Sequence, residues 1–377
     1  MNARRDRSSF ASPSATAPAT DSLFTEDSID SGGAEPDPPP MRGAVVAPAE
    51  VEEALLRLGR RLPESVFLGT SSWSFPGWRG IVYRDQYAEA QLARNGLAAY
   101  AQHPILRTVG IDRGFYQPLA VDDLAHYVRQ VPAHFRFLIK APALVTDALR
   151  RSGSDGARAS SRGATDTNPD FLDAALATER FVLPTLAGLG VHVGPLVFQL
   201  SPLPRAMLAG AAAHATIERI GAFVAALPRT VAGIEPAYAI EPRNAELLTP
   251  RFVHTLRAAG ARLCLALHAR MPAAARQSVA LRALDADADA GDHWRMKGPL
   301  VVRWSLHGGL RYDQAKQRYA PFDRIVDADI PARGTLAHLI DVAVRSGQDA
   351  FVIVNNKAEG CAPLSCIELA RALVDGH

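Results

Sequence analysis

The sequence predicts an α/β fold, a closed (β/α)8 TIM barrel, and three observations carry that expectation. Eight short apolar runs recur along the chain, amphipathic stretches at helical spacing lie between them, and the glycine-rich turn of a dinucleotide-binding sheet is missing. Parallel strands covered by helices read as unbroken apolar runs, and eight such repeats are the number that closes a barrel. An open doubly wound sheet is the alternative. Against it, the first run is followed by GTSSWSFPGW, with bulky Trp73 and Phe75 where backbone would have to approach a pyrophosphate.

Taken in order, residues 1–45 are rich in Ser, Ala, Pro, Asp and Gly, include EPDPPP and show no periodicity, so they are expected to form a disordered extension. Residues 46–377 are expected to be one barrel domain. PAEVEEALLRLGR (48–60) carries Val51, Leu55, Leu56 and Leu58 at roughly helical spacing and reads as a leading helix. The eight runs are 66–72, 105–111, 135–141, 194–200, 238–243, 262–267, 300–306 and 351–356. Between them, Val121, Leu124, Val128 and Val131, or Ile217, Ile220, Val224 and Leu227, each mark one helical face. Asn168-Pro169 and Thr249-Pro250 each offer a cap followed by proline at the first helical position. Two stretches, 146–168 and 269–298, read as loop insertions at the carboxyl ends of the third and sixth strands.

Composition narrows the function classes. The chain has 377 residues, 48% apolar and 21% charged, enough for a core that buries roughly three quarters of the unfolded surface without cross-links. The formal charge of +2 gives no global field toward nucleic acid or an acidic membrane. One feature points the other way: Arg150, Arg151, Arg158 and Arg162 in the first insertion would make a mobile phosphate clamp. Cys264, Cys361 and Cys366 fit neither a redox nor a zinc spacing, which suggests a reducing compartment. No apolar run of about 18 residues and no signal-peptide core is evident. A cytoplasmic protein without a membrane partner is expected.

A barrel sends all its strand ends to one face, so the polar residues there converge. These are Ser71, Ser72 and Trp73; Asp112 and Arg113; Lys140; Gln199 and Ser201; Glu241 and Arg243; His268; Arg303, Trp304 and His307; and Asn355, Asn356 and Lys357. Lys140, after an apolar run, suits a base, a Schiff-base nucleophile or an anion anchor, or else an ion pair with Glu241. Glu241 suits acid/base work, or else a carboxylate locked to Arg243 or Arg303. Asp112 supplies a second carboxylate, which would permit glycoside hydrolysis, or else pairs locally with Arg113. The catalytic candidates are thus Glu241, Lys140 and Asp112. Gln199, Arg243, Arg303, Trp304, Asn355, Asn356, Lys357 and Trp73 are the ligand-binding candidates. Trp78, Phe115, Tyr116, Tyr312 and Tyr319 suit stacking on a ligand or packing in the core. A buried structural pair would lose about 3–5 kcal/mol when either charge is removed; residues kept for a ligand should not, so Lys140→Met and Glu241→Gln are each expected to change stability by less than about 1.5 kcal/mol.

Other patterns fail. DADADAGD (285–292) resembles a calcium loop, but its glycine falls one place late and Met296 stands where the bidentate glutamate belongs. Cys264 and His268 lack further zinc ligands, so no metal site is expected. No nucleophile elbow, Walker loop or HExxH occurs. The residues leave the cofactor unspecified.

LGTSSWSFPGWRG, LRTVGIDRGFYQP, FRFLIKAP, GPLVFQLSP, YAIEPRN, VVRWSLHGGLRYD, YAPFD and VIVNNKAEGCAPLS, in this order, resemble the family called domain of unknown function 72, or YecE-like, over about residues 65–375. The resemblance implies a TIM barrel and supplies no reaction. Its matching polar positions are Lys140, Gln199, Glu241, Arg243, Arg303, Asn355, Asn356 and Lys357. Many members carry Glu in the second-strand motif where this chain has Gly110, with Asp112 following. The leading expectation is an enzyme, a lyase, isomerase or hydrolase, acting on a small polar or anionic ligand such as a sugar phosphate or carboxylate. A noncatalytic ligand-binding or partner-docking barrel is the alternative, and a nucleic-acid processing protein the third reading. The extension gives a first test: deleting residues 1–45 should leave the melting temperature and circular dichroism of the remainder nearly unchanged. A large loss of stability would place part of that segment in the core.

Overall fold

The computed structural model describes residues 45–150, 167–286 and 294–375. The expected disordered extension apart from Val45, all but Arg150 of the arginine clamp, and most of DADADAGD lie outside the described residues. Eight parallel strands form a closed barrel in chain order: β1 Val66–Thr70, β2 Leu106–Ile111, β3 Arg136–Lys140, β4 Val193–Gln199, β5 Tyr238–Glu241, β6 Arg262–Leu267, β7 Leu300–Trp304 and β8 Ala350–Val354. Closure is direct, since β1 pairs with β8 from Val66 opposite Ala350 to Thr70 opposite Val354. That seam excludes the open sheet.

Each strand's two faces serve two cores. Phe67, Leu138, Val197, Ala239, Cys264, Val301, Phe351 and Ile353 pack inside the barrel, with Phe67 and Phe351 stacked at 4.6 Å. Their neighbours along the strands, such as Leu68, Ile139, Phe198, Ile240, Leu265, Val302 and Val352, join the larger core between barrel and helices. Because side chains alternate, residues two places beyond the inner floor rise on the same inward face. Those residues are Lys140, Gln199, Glu241, Arg303 and Asn355. The apolar floor thus fixes the polar layer above it.

The helices follow from sequence in most cases. The leading helix is Glu53–Arg61; Val121–Val128 buries Leu124 of its expected face but leaves Val121 exposed, Gly210–Ala226 buries Ile217, Ile220 and Val224, and Val131 and Leu227 lie past the helix ends. Thr249 caps Pro250–Ala259 as expected, its hydroxyl accepting from the Phe252 amide. Asn168 does not start a helix: its carboxamide donates to the carbonyls of Leu144 and Asp147, and the next helix begins at Ala174 behind the cap Asp173. The stretch 269–298 is also not simply a loop, because the helix Ala274–Asp285 occupies it and covers β6. Gln277 of that helix is fully buried and pairs with both backbone groups of Ala266. Ala174–His192 is long and apolar enough to cross a membrane. In this fold Phe181, Val182, Leu186 and Leu189 bury its apolar side in the barrel's outer core.

One glycine is indispensable to closure. A Cβ at Gly69 would lie 1.9 Å from the Thr108 carbonyl oxygen, where the β1–β2 register shifts. Gly69→Ala should therefore push the two strands apart and cost about 2 kcal/mol or more in urea denaturation. A loss under about 0.5 kcal/mol would contradict this seam.

Candidate functional site

At the carboxyl ends of the strands, Arg303 of β7 gathers three neighbours. Its NH1 donates to Gln199 Oε1 at 2.6 Å and to Glu241 Oε2 at 2.9 Å, while NH2 donates to both oxygens of Asp112, at 2.9 and 2.7 Å. Arg243, two residues past Glu241 on the same inward face, sets its NH2 2.7 Å from Glu241 Oε1 and 2.9 Å from Gln199 Oε1. Glu241 is 0% exposed and sits between two guanidiniums, so it is the carboxylate locked to Arg243 and Arg303. That geometry holds arginines in place. It suits a positioning residue better than a proton carrier.

Lys140 is 1% exposed, with its ammonium 4.0 Å from Asp112 Oδ1 and 4.0 Å above the Phe115 ring. Asp112 stands one residue beyond β2, before the short turn Arg113–Phe115, and its side chain keeps 15% exposure. Of the two clustered carboxylates it is the one open to a ligand. The Phe115 ring supports the lysine charge through its negative face without consuming an ammonium proton in a classical hydrogen bond.

The opposite side of the mouth is built by the loop after β8. Asn355 donates to Ser71 Oγ at 2.8 Å and accepts from the Lys357 amide at 2.9 Å. The Lys357 ammonium lies 4.2 Å over the Tyr312 ring and 3.4 Å from Asn355 Oδ1. Asn356 has a framework role: its oxygen accepts from Trp78 Nε1 and from the Ala362 amide that opens the helix Ala362–Asp375. Glu359 is fully buried and binds Arg333 and the Asp329 amide, which ties this loop to the helix Ile330–Arg345. Gly360 has φ +119, and a Cβ there would meet the Arg324 carbonyl at 2.5 Å. The run NNKAEG is therefore both rim and buttress.

Two aromatic candidates fall outside the cluster. Trp73 packs in the outer core, edge-on to Tyr127, and donates to the Leu92 carbonyl. Trp304 follows inward-facing Arg303 and so turns to the helices, where it too is buried. Neither joins the ionic group. One buried pair went unread in the sequence: Ser201, past β4, donates to Asp147 beyond β3, and both are buried. A loop aspartate carries no periodic signal, so only the fold brings it to Ser201. Below the cluster, burial and the neighbouring Glu241 charge push the Cys264 thiol well up, which leaves it an inert part of the floor. Among the described residues no group of three or more His, Cys, Asp or Glu side chains could hold a metal.

A closed parallel barrel with a buried polyionic cluster on its carboxyl face defines the class of protein. Within that class, residues 67–377 match the family described as protein of unknown function DUF72, and the chain belongs to that family. It is similar to a DUF72 protein of Thermotoga maritima MSB8 (TM-score 0.51, 16% identity, covering 82% of this chain and 98% of that one). It is also similar to one of Enterococcus faecalis V583 (TM-score 0.50, 14% identity, covering 82% and 95%). At these identities the likeness is one of fold. Comparison with curated proteins returns no match.

The placement of Glu241 sets a stability test. Glu241→Gln neutralises a buried carboxylate between two arginines, so urea denaturation should show a loss of about 3 kcal/mol, in place of the change below about 1.5 kcal/mol expected from sequence. A change under about 1 kcal/mol would mean that the arginines do not depend on it.

Proposed function

We propose that this barrel is a cytoplasmic enzyme acting on a small polar, anionic ligand, a sugar phosphate or carboxylate, held at the carboxyl ends of its strands. The observation that carries the reading is charge. In the described part of the mouth the cations Lys140, Arg243, Arg303 and Lys357 outnumber the carboxylates Asp112 and Glu241, even with buried Asp147 added. Buried ion pairs stabilise a fold no better on average than packed apolar residues of similar size, so stability alone does not account for the arrangement. A surplus of buried positive charge does supply an anion with partners.

In this reading Lys140 binds the anion, the Arg303 charge attracts it from behind, and Asp112, in contact with both, exchanges a proton with the ligand. Glu241 and Arg243 hold Arg303 in position, and Asn355 and Lys357 bound the far side. Acid–base chemistry beside a bound anion fits a lyase, isomerase or hydrolase, and fold analogy does not choose among them. One observation favours a noncatalytic ligand-binding barrel instead: Glu241 is sealed from solvent with an arginine facing each of its oxygens.

Incubation with a metabolite mixture followed by mass spectrometry separates the two. The enzyme reading expects wild-type protein to consume one anionic metabolite, and Asp112→Asn to retain that metabolite while consuming it at least about a hundredfold more slowly. Retention without consumption by the wild type would favour the binding barrel, and equal turnover by Asp112→Asn would remove Asp112 from the chemistry.

A further inference from the structure

Gln199 closes β4 on the inward face, two residues beyond Val197 of the barrel floor, and is 1% exposed. Its Oε1 accepts from Arg243 at 2.9 Å and from Arg303 at 2.6 Å. A guanidinium only donates, so two of them settle which end of the carboxamide is oxygen; the reversed amide would set N–H groups against N–H groups. The amide nitrogen is thereby fixed as a donor. Nε2 makes no hydrogen bond within the described residues, yet it is not among the buried polar atoms sealed off without a partner. An otherwise buried side chain thus leaves its amide nitrogen open to a partner.

We propose, building on the anion reading above, that Gln199 determines specificity, its Nε2 donating to one oxygen of a phosphate or carboxylate group. The two arginines behind Oε1 draw electron density through the amide and make its N–H a stronger donor. Lys140 and Arg303 attract any anion of suitable size. A directional donor on a braced amide adds a preference for an oxyanion over a spherical halide, because only the oxyanion offers a lone pair at a set angle.

Calorimetric titration of the full chain with inorganic phosphate, acetate and bromide tests this, using wild type, Gln199→Glu and Gln199→Met. Gln199→Glu keeps the size and the bonds to both arginines but loses the donor and adds a negative charge. Gln199→Met loses the donor and also the oxygen that accepts from both arginines, and adds no charge. Wild type should bind phosphate or acetate more tightly than bromide, and the tighter of the two identifies the group that is read. Gln199→Met should weaken that oxyanion about tenfold or more while leaving bromide within about twofold. Should Gln199→Met fail to fold, Gln199→Glu should weaken the oxyanion by more than it weakens bromide. Undiminished oxyanion affinity in Gln199→Met, or equal weakening of both ions in Gln199→Glu, would overturn the assignment and leave the anion site standing. No oxyanion binding by wild type would instead overturn the anion reading itself.

Discussion

A guanidinium taken out of water needs acceptors, and the terminal nitrogens of Arg303 find them at the ends of three other strands: Asp112 beyond β2, Gln199 on β4 and Glu241 on β5. A buried cation left unmatched costs several kcal/mol, so this set fixes the level at which those strand ends meet. The inward face provides room for it. Gly110 and Ala266 occupy inward positions where long side chains would collide, and a Cβ at Gly110 would already lie 3.1 Å from Ile353. Apolar floor, small residues and polar layer are parts of one arrangement. Among the described residues of this layer positive charge exceeds negative, and the proposed anion site follows from that.

The second constraint is the loop after β8, which does several jobs within a few residues. Asn355 binds Ser71 across the β8–β1 seam, Asn356 pins Trp78 and caps the last helix, and Glu359 fastens the helix that follows β7. The Lys357 carbonyl accepts from the His307 amide, which joins the β7 and β8 loops directly. An apolar strand ending in Asn-Asn-Lys thus serves the framework with some side chains and the mouth with others. Asn355 and Lys357 carry the second role.

The barrel was legible because burial on both faces leaves a strong signal: all eight runs became strands, each shifted or trimmed by at most two residues at either end. The core of the site was legible for a related reason. In FLIK, VFQ, AIE and VVR, a polar residue stands two places past an inward apolar one, and that period survives folding unchanged. Partner choice was not legible. Lys140 lies beside Asp112, and the Glu241 oxygens face two arginines, because register between distant strands decides which ends meet. Trp304 ends β7 but belongs to the outer core, since one step along a strand reverses the face, and Trp73 lies three residues past β1, where the chain has left the strand and the indole donates to the Leu92 carbonyl. Asn168-Pro169 offered good capping chemistry, yet the asparagine satisfies two loop carbonyls instead.

On the proposed reading, the positive charge among the described residues of the carboxyl face makes one anion site beside Lys140, Arg303 and Gln199. A crystal structure of the protein soaked in selenate, with anomalous data at the selenium edge, would locate that anion. An anomalous peak is expected inside the mouth, with selenate oxygens within hydrogen-bond distance of Gln199 Nε2 and of the Lys140 ammonium. A mouth without anomalous density, with selenate bound only on the outer surface, would contradict it and leave the cluster as framework.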